Sequence, residues 1–157
     1  MSTMVRERPA LASIAGTMDR ARVLRLAVPV GRLLFALIFL GSLAPHFAAG
    51  TIAYAAQQGV PFANILVPLS GVMAFVGGLS VLLGYRARLG AALLVLFLVP
   101  VTLMMHGYWA VGDPMMAQLE QAMFMKNVAL TGAALVIMGQ GAGPLSLDER
   151  QRRSAAG

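Results

Sequence analysis

The stretch Phe62–Gly84, FANILVPLSGVMAFVGGLSVLLG, decides the fold. It carries no charge, and only Asn64, Ser70 and Ser80 bring hydrogen-bonding side chains. About 20 such residues cross the hydrocarbon core of a bilayer as an α-helix. No water is available there, so the backbone must satisfy itself inside a helix or a closed barrel. Barrel strands alternate apolar and polar residues, and this stretch does not alternate. It reads as a spanning helix in which Gly71, Gly77 and Gly78 allow close approach by neighbouring helices.

Working outward, three more runs have the same character. Val23–Ala44 is interrupted only by Arg25 and Arg32. Arg32 either snorkels to the inner interface or marks where the hydrocarbon begins. Leu89–Trp109 contains Pro100 and ends in His106-Gly107-Tyr108-Trp109, an aromatic-belt sequence. Ala122–Met138 carries Lys126 and Asn127 in its first third and stops at a Gly-rich terminator ending in Pro144. Between the first two runs, Thr51–Gln58 has the look of a short surface helix. After the last, Ser146-Leu147-Asp148-Glu149 resembles a capping box that would start another short helix.

Composition agrees. Of 157 residues, 59% are apolar and 11% charged, against about 45–50% and about 25% in soluble domains. Mean hydropathy is +0.78. A soluble protein with four buried core helices would need far more polar sequence to cover them. There is no cysteine, which excludes a disulfide framework, thiolate metal sites and a dithiol relay carried by this chain. Ala10–Gly16 is too weakly apolar for a signal-peptide core and is followed by more charge.

The net charge of +6 could suggest a nucleic-acid partner, but the arginines flank apolar runs instead of forming a stripe among aromatics. Arg6, Arg8, Arg20, Arg22, Arg25 and Arg32 precede or enter the first run, Arg86 and Arg88 join the second to the third, and Arg150, Arg152 and Arg153 follow the fourth. The two remaining loops hold no lysine or arginine. The positive-inside rule then puts all three basic segments in the cytoplasm. The expected architecture is an all-α integral membrane four-helix bundle with both termini inside. It has a cytoplasmic tail at residues 1–22, a domain at 23–144 with helices about 23–44, 62–84, 89–109 and 122–138, and a second cytoplasmic tail at 145–157.

Ionisable groups are costly inside a membrane and default to functional candidates. His46, His106, Tyr108, Trp109, Glu120, Lys126 and Asn127 all fall in the outer half of the bundle under this topology. Glu120 and Asn127 are seven residues apart and share a helix face, whereas Lys126 lies about 100° round from Asn127. Each has a plain alternative. The histidines suit a satisfied interface, Tyr108 and Trp109 an aromatic belt, and Lys126 and Asn127 a packing lock. Read together, they describe a ligand-binding polar pocket for a small amphipathic molecule. A quinone head would suit it, with carbonyls that accept hydrogen bonds, a ring that stacks and a tail left in lipid. No spacing motif points to a metal, and no catalytic residue stands out.

Several stretches together resemble the DoxX family. They are Gly31–Leu40, Gln58-Gly59-Val60-Pro61, Gly77-Gly78-Leu79, His106-Gly107-Tyr108-Trp109, Phe124-Met125-Lys126-Asn127 and Gly143–Asp148. The likeness covers about residues 23–148. It implies a four-helix protein of a bacterial or archaeal cytoplasmic (inner) membrane, and a subunit of a quinone-linked oxidoreductase. Many members have a lysine near the outer end of the first helix, where this chain has Pro45-His46. The leading expectation is therefore a membrane subunit of a quinone-linked redox system, in contact with the bilayer, with quinone as its ligand and soluble redox proteins as partners. A homo-oligomer is compatible with that reading, and nucleic acid is not a partner. The rival is a non-catalytic scaffold or assembly factor that recruits soluble enzymes through the basic cytoplasmic face.

The topology has a direct check, because the chain has no cysteine of its own. In spheroplasts, a membrane-impermeant maleimide should label Gln58→Cys. It should reach Gln151→Cys only after the membrane is opened. The opposite pattern would invert the bundle.

Overall fold

The computed structural model describes the backbone of residues 7–157 and the side chains from Arg22 onward except Leu24. Residues 1–6 of the expected N-terminal tail lie outside the described residues. The described chain is helical, in the order α1 (Glu7–Gly41), a 3-10 turn at Ala44–Phe47, α2 (Ala49–Gln57), α3 (Ala63–Leu83), α4 (Ala87–Met105), a 3-10 turn at Tyr108–Ala110, α5 (Pro114–Gln140) and α6 (Leu147–Ala155). Four of these helices are long and apolar enough to cross a membrane. The protein is an integral membrane helical bundle.

Two helices extend beyond their apolar runs. The helical backbone of α1 already includes the charged residues from Glu7 onward. At the other end of the chain, α5 starts at Pro114 and not near Ala122. The reason is local. The Asp113 carboxylate accepts the Met116 amide at 2.8 Å, and Pro114 follows it in the first turn. That combination nucleates a helix irrespective of hydropathy.

The spanning helices pack mainly in chain order, α1 on α3, α3 on α4 and α4 on α5. Their shared core contains Phe39, Ala74, Val81, Ala91, Leu94, Phe97, Leu98 and Ala134. Helix α3 is the centre because glycine opens two of its faces. A Cβ on Gly77 would lie 2.9 Å from the Gly90 carbonyl oxygen of α4, and one on Gly78 would lie 2.9 Å from Phe39 Cβ of α1. Lipid offers no hydrophobic force between helices, so such close backbone approach supplies the packing that holds them.

The inner ends are tied by the C-terminal segment. Helix α3 ends at Gly84 in the left-handed conformation (φ 62°), with the Tyr85 amide donating to the Ser80 carbonyl at 3.1 Å. Arg86, also left-handed, precedes α4 at its N-cap, and the first amides there are capped from far along the chain. Asp148 Oδ1 accepts the Arg86 amide at 2.7 Å and Oδ2 accepts the Ala87 amide at 3.0 Å. The Asp148 amide in turn donates to the Gly84 carbonyl at 2.8 Å. Arg32 is buried at the same level and donates through Nη2 to the Leu145 carbonyl at 2.8 Å. It therefore snorkels into protein, not into water. Ser146 caps α6, and Glu149 reaches back to the Leu145 amide at 2.8 Å. That amide and the Arg153 guanidinium hold the Glu149 carboxyl below the usual carboxylate range.

Asp148→Ala should remove the cap of α4 and lower stability by about 1–2 kcal/mol. Asp148→Asn keeps one acceptor oxygen and should cost less. Thermal unfolding in detergent, followed by circular dichroism, measures both. Equal losses would show that the carboxylate does not act as a cap.

Candidate functional site

In the inner half, α3 and α4 touch through Gly77 and Gly90. In the outer half, where α3 contains Pro68 and α4 contains Pro100, they are separated by a cavity of about 430 Å³. Its walls come from Leu66–Met73 of α3 and Leu96–Met105 of α4. Thr51 and Ala55 of α2 lie over it, with His46 and His106 at its edge. Small-molecule pockets commonly measure about 300–1,000 Å³ and are mostly apolar with a few placed polar groups. This one fits that description. The Ser70 hydroxyl is already engaged with the Val67 carbonyl at 2.8 Å. The Thr51 hydroxyl and the two imidazoles are the remaining polar side chains of the lining.

His46 is positioned by the end of α1. Pro45 has no amide to continue the helix, and the His46 amide bonds the Leu43 carbonyl in the 3-10 turn. The Ser42 carbonyl is left to His46 Nδ1, at 2.6 Å. A carbonyl can only accept, so Nδ1 carries the hydrogen, and Nε2 of the neutral ring is an acceptor. The ring leans on Phe97 with centroids 5.9 Å apart. Its Cβ occupies space that Gly71 leaves open, since a Cβ there would lie 2.5 Å away.

His106 sits just beyond α4. Its Nδ1 meets Glu120 Oε2 of α5 at 2.7 Å, and both side chains are about four-fifths buried, at 22% and 17% exposure. The carboxylate holds the ring and assigns the hydrogen to Nδ1, which again leaves Nε2 as the acceptor of the neutral ring. A histidine steadied in this way has the arrangement of a general base.

The remaining candidates separate. Tyr108 and Trp109 do not line the cavity. They form an edge-to-face aromatic group with Phe124, with centroid separations of 5.2, 5.5 and 5.7 Å. Trp109 is 63% exposed, as a belt residue would be. Asn127 is buried inside α5, and its carbonyl accepts from the Thr131 hydroxyl at 2.8 Å. Lys126 is exposed on the surface of α5. Helical side chains lean towards the N-terminus, so the ammonium leads to the outer interface and not to the cavity. The structure thus brings together His46 and His106, with Glu120 behind the latter. Sequence reading missed Ser42 and Phe97, and read Gly71 only as a packing glycine between helices. Of the two missed, only Ser42 had a signal, the proline that frees its carbonyl. Among the described residues, no group of three or more His, Asp or Glu side chains converges as a metal site would.

Comparison with known proteins corrects one expectation. The chain matches the SURF4 family over residues 2–154, and no match to the DoxX family accompanies it. The motifs that suggested DoxX are glycines for close approach, an aromatic belt and a capped terminus. Membrane packing asks these of many helical bundles, so they do not single out one family. The oxidoreductase role implied by that resemblance loses its support with it. The chain is similar to inner membrane protein YqjF of Escherichia coli, at 30% identity over 125 residues, covering 77% of this chain and 88% of that protein. It is similar to inner membrane protein YphA of the same organism at 30% identity over 102 residues, covering 64% and 71%. The Surfeit locus protein 4 homolog of Schizosaccharomyces pombe is 27% identical over 123 residues, covering 78% of this chain and 36% of that protein. No solved structure matches. With four apolar spanning helices and such relatives, this is a multi-pass inner-membrane protein, and it belongs to the SURF4 family.

Proposed function

We propose that the chain binds a membrane-soluble amphipathic molecule of the quinone class, in its reduced, hydroxyl-bearing form, within the outer half of the bundle. The observation that carries this reading is the apolar cavity of about 430 Å³ with an imidazole of fixed tautomer at each of two edge positions. Both neutral rings offer Nε2 as an acceptor, so they complement the hydroxyls of a quinol better than the carbonyls of a quinone. The Phe97 ring and the Met104–Met105 side chains give an apolar surface for the head, and the tail stays in lipid. His106, steadied by Glu120, is the residue placed to take a proton from a bound hydroxyl. In this reading the chain is the quinol-holding membrane subunit of a redox assembly, and the electron acceptor belongs to a partner.

Reconstitution into lipid nanodiscs tests the proposal. Mass spectrometry of extracted small molecules should find a quinone-class occupant. Titrated ubiquinol should bind more tightly than ubiquinone. His46→Ala and His106→Ala should each weaken quinol binding by about threefold to tenfold, the value of one neutral hydrogen bond. Ser70→Phe, which fills the cavity, should abolish it. No preference between the two redox forms, together with unchanged binding in both histidine variants, would sink the proposal.

A further inference from the structure

At the opposite surface, α4 and α6 enclose a second groove of about 560 Å³. Arg86 and Arg88 enter it from the start of α4 and Arg152 from α6, while Leu89, Gly141, Ala142 and Ala155 supply its apolar side. The one acid in the groove is Asp148, and both its oxygens are engaged by the Arg86 and Ala87 amides. Among the described residues, none of the three guanidiniums has a hydrogen-bond or ion-pair partner. Arg86 is only steadied by the Tyr85 ring, 5.8 Å from its centroid. Further positive charge stands close by. Arg32 and Ala142 both pack against Gly84, and Arg32 Nε and Nη1 are buried without a partner among the described residues. With three arginines and Asp148 in its lining, the groove keeps a net positive charge.

The groove also has a direction. From Leu89 an exposed apolar line runs along α4 through Leu96 and Leu103, at seven-residue spacing, with exposures of 61%, 61% and 55%. Basic side chains at the inner surface thus continue into a lipid-facing track that enters the bilayer. A soluble anion would use the first part and leave the second idle. A phospholipid uses both.

We propose that this groove is a binding site for an anionic phospholipid of the inner leaflet, with its phosphate among Arg86, Arg88 and Arg152 and an acyl chain along Leu89–Leu96–Leu103. Each basic residue near an anionic surface strengthens binding about fivefold, and salt screens the effect. The phosphate end of the site shares no residue with the outer cavity, although Leu96, on the acyl track, also lines that cavity.

Native mass spectrometry of the full chain in detergent, titrated with phosphatidylglycerol or with phosphatidylcholine of the same chains, tests the site. Phosphatidylglycerol should bind more tightly. The variant carrying Arg86→Gln, Arg88→Gln and Arg152→Gln should lose about 100-fold of that affinity while phosphatidylcholine binding hardly changes. Arg88→Gln alone, expected to lose about fivefold, serves if the triple variant does not fold. Arg22→Gln with Arg25→Gln, exposed arginines outside the groove, should leave the preference intact. Three results would overturn the proposal. One is equal binding of the two lipids by the unaltered chain. Another is an equal loss in the Arg22/Arg25 variant. The third is displacement of phosphatidylglycerol by inorganic phosphate at equal concentration, which would assign the groove to a soluble anion.

Discussion

Gly77 and Gly90 bring α3 and α4 into backbone contact, and the rest of the bundle is arranged around that contact. Between helices in lipid, attraction comes from dispersion and close fit, both of which fall away steeply as backbones separate. A pair of glycines therefore sets the level at which two helices are nearest. Here that level lies in the inner half. The adjacent Gly78 gives α1 a second seat on α3, so the central helix is gripped from both sides at nearly the same depth. Outward of it the helices carry Pro68 and Pro100, and proline relaxes the regular hydrogen-bond ladder. The space that opens there is a consequence of where the glycines are.

This division gives the molecule two chemically different ends. The inner end is dense with arginine and tied together by main-chain hydrogen bonds to Asp148 and Leu145. The outer end is sparsely polar, and its few polar groups are used to orient one another: the Ser42 carbonyl orients His46, and Glu120 orients His106. In both pairs the partner can only accept, which fixes the ring nitrogen that bears hydrogen. Two imidazoles on different elements of one cavity lining are consequently left with the same nitrogen, Nε2, free of these bonds.

The bundle was legible in the sequence because lipid imposes one rule on every residue of a spanning helix, and that rule leaves long apolar runs. The start of α5 was written as plainly in Asp113-Pro114, yet hydropathy obscured it, since Met115–Gln121 is too mixed to count as membrane sequence. The site was legible only as an inventory. His46, His106 and Glu120 stood out as polar groups in the outer half. That His106 meets Glu120 while Lys126 lies exposed depends on helix rotation, and a turn of about 100° per residue separates neighbours completely. Long-range ties such as Arg32 to Leu145 and Asp148 to the first turn of α4 leave no local pattern. The family was misread for a related reason, because the motifs quoted for it record the demands of membrane packing.

The cap on α4 bears on how the protein is made. Asp148 is synthesised after every spanning helix, yet it satisfies amides at the start of the third of them. Without it, the turn joining α3 and α4 leaves the Arg86 and Ala87 amides to water. The α3–α4 hairpin therefore gains its cap only once α6 docks against it. The start of the third spanning helix thus depends on a segment that follows all four spans in the chain.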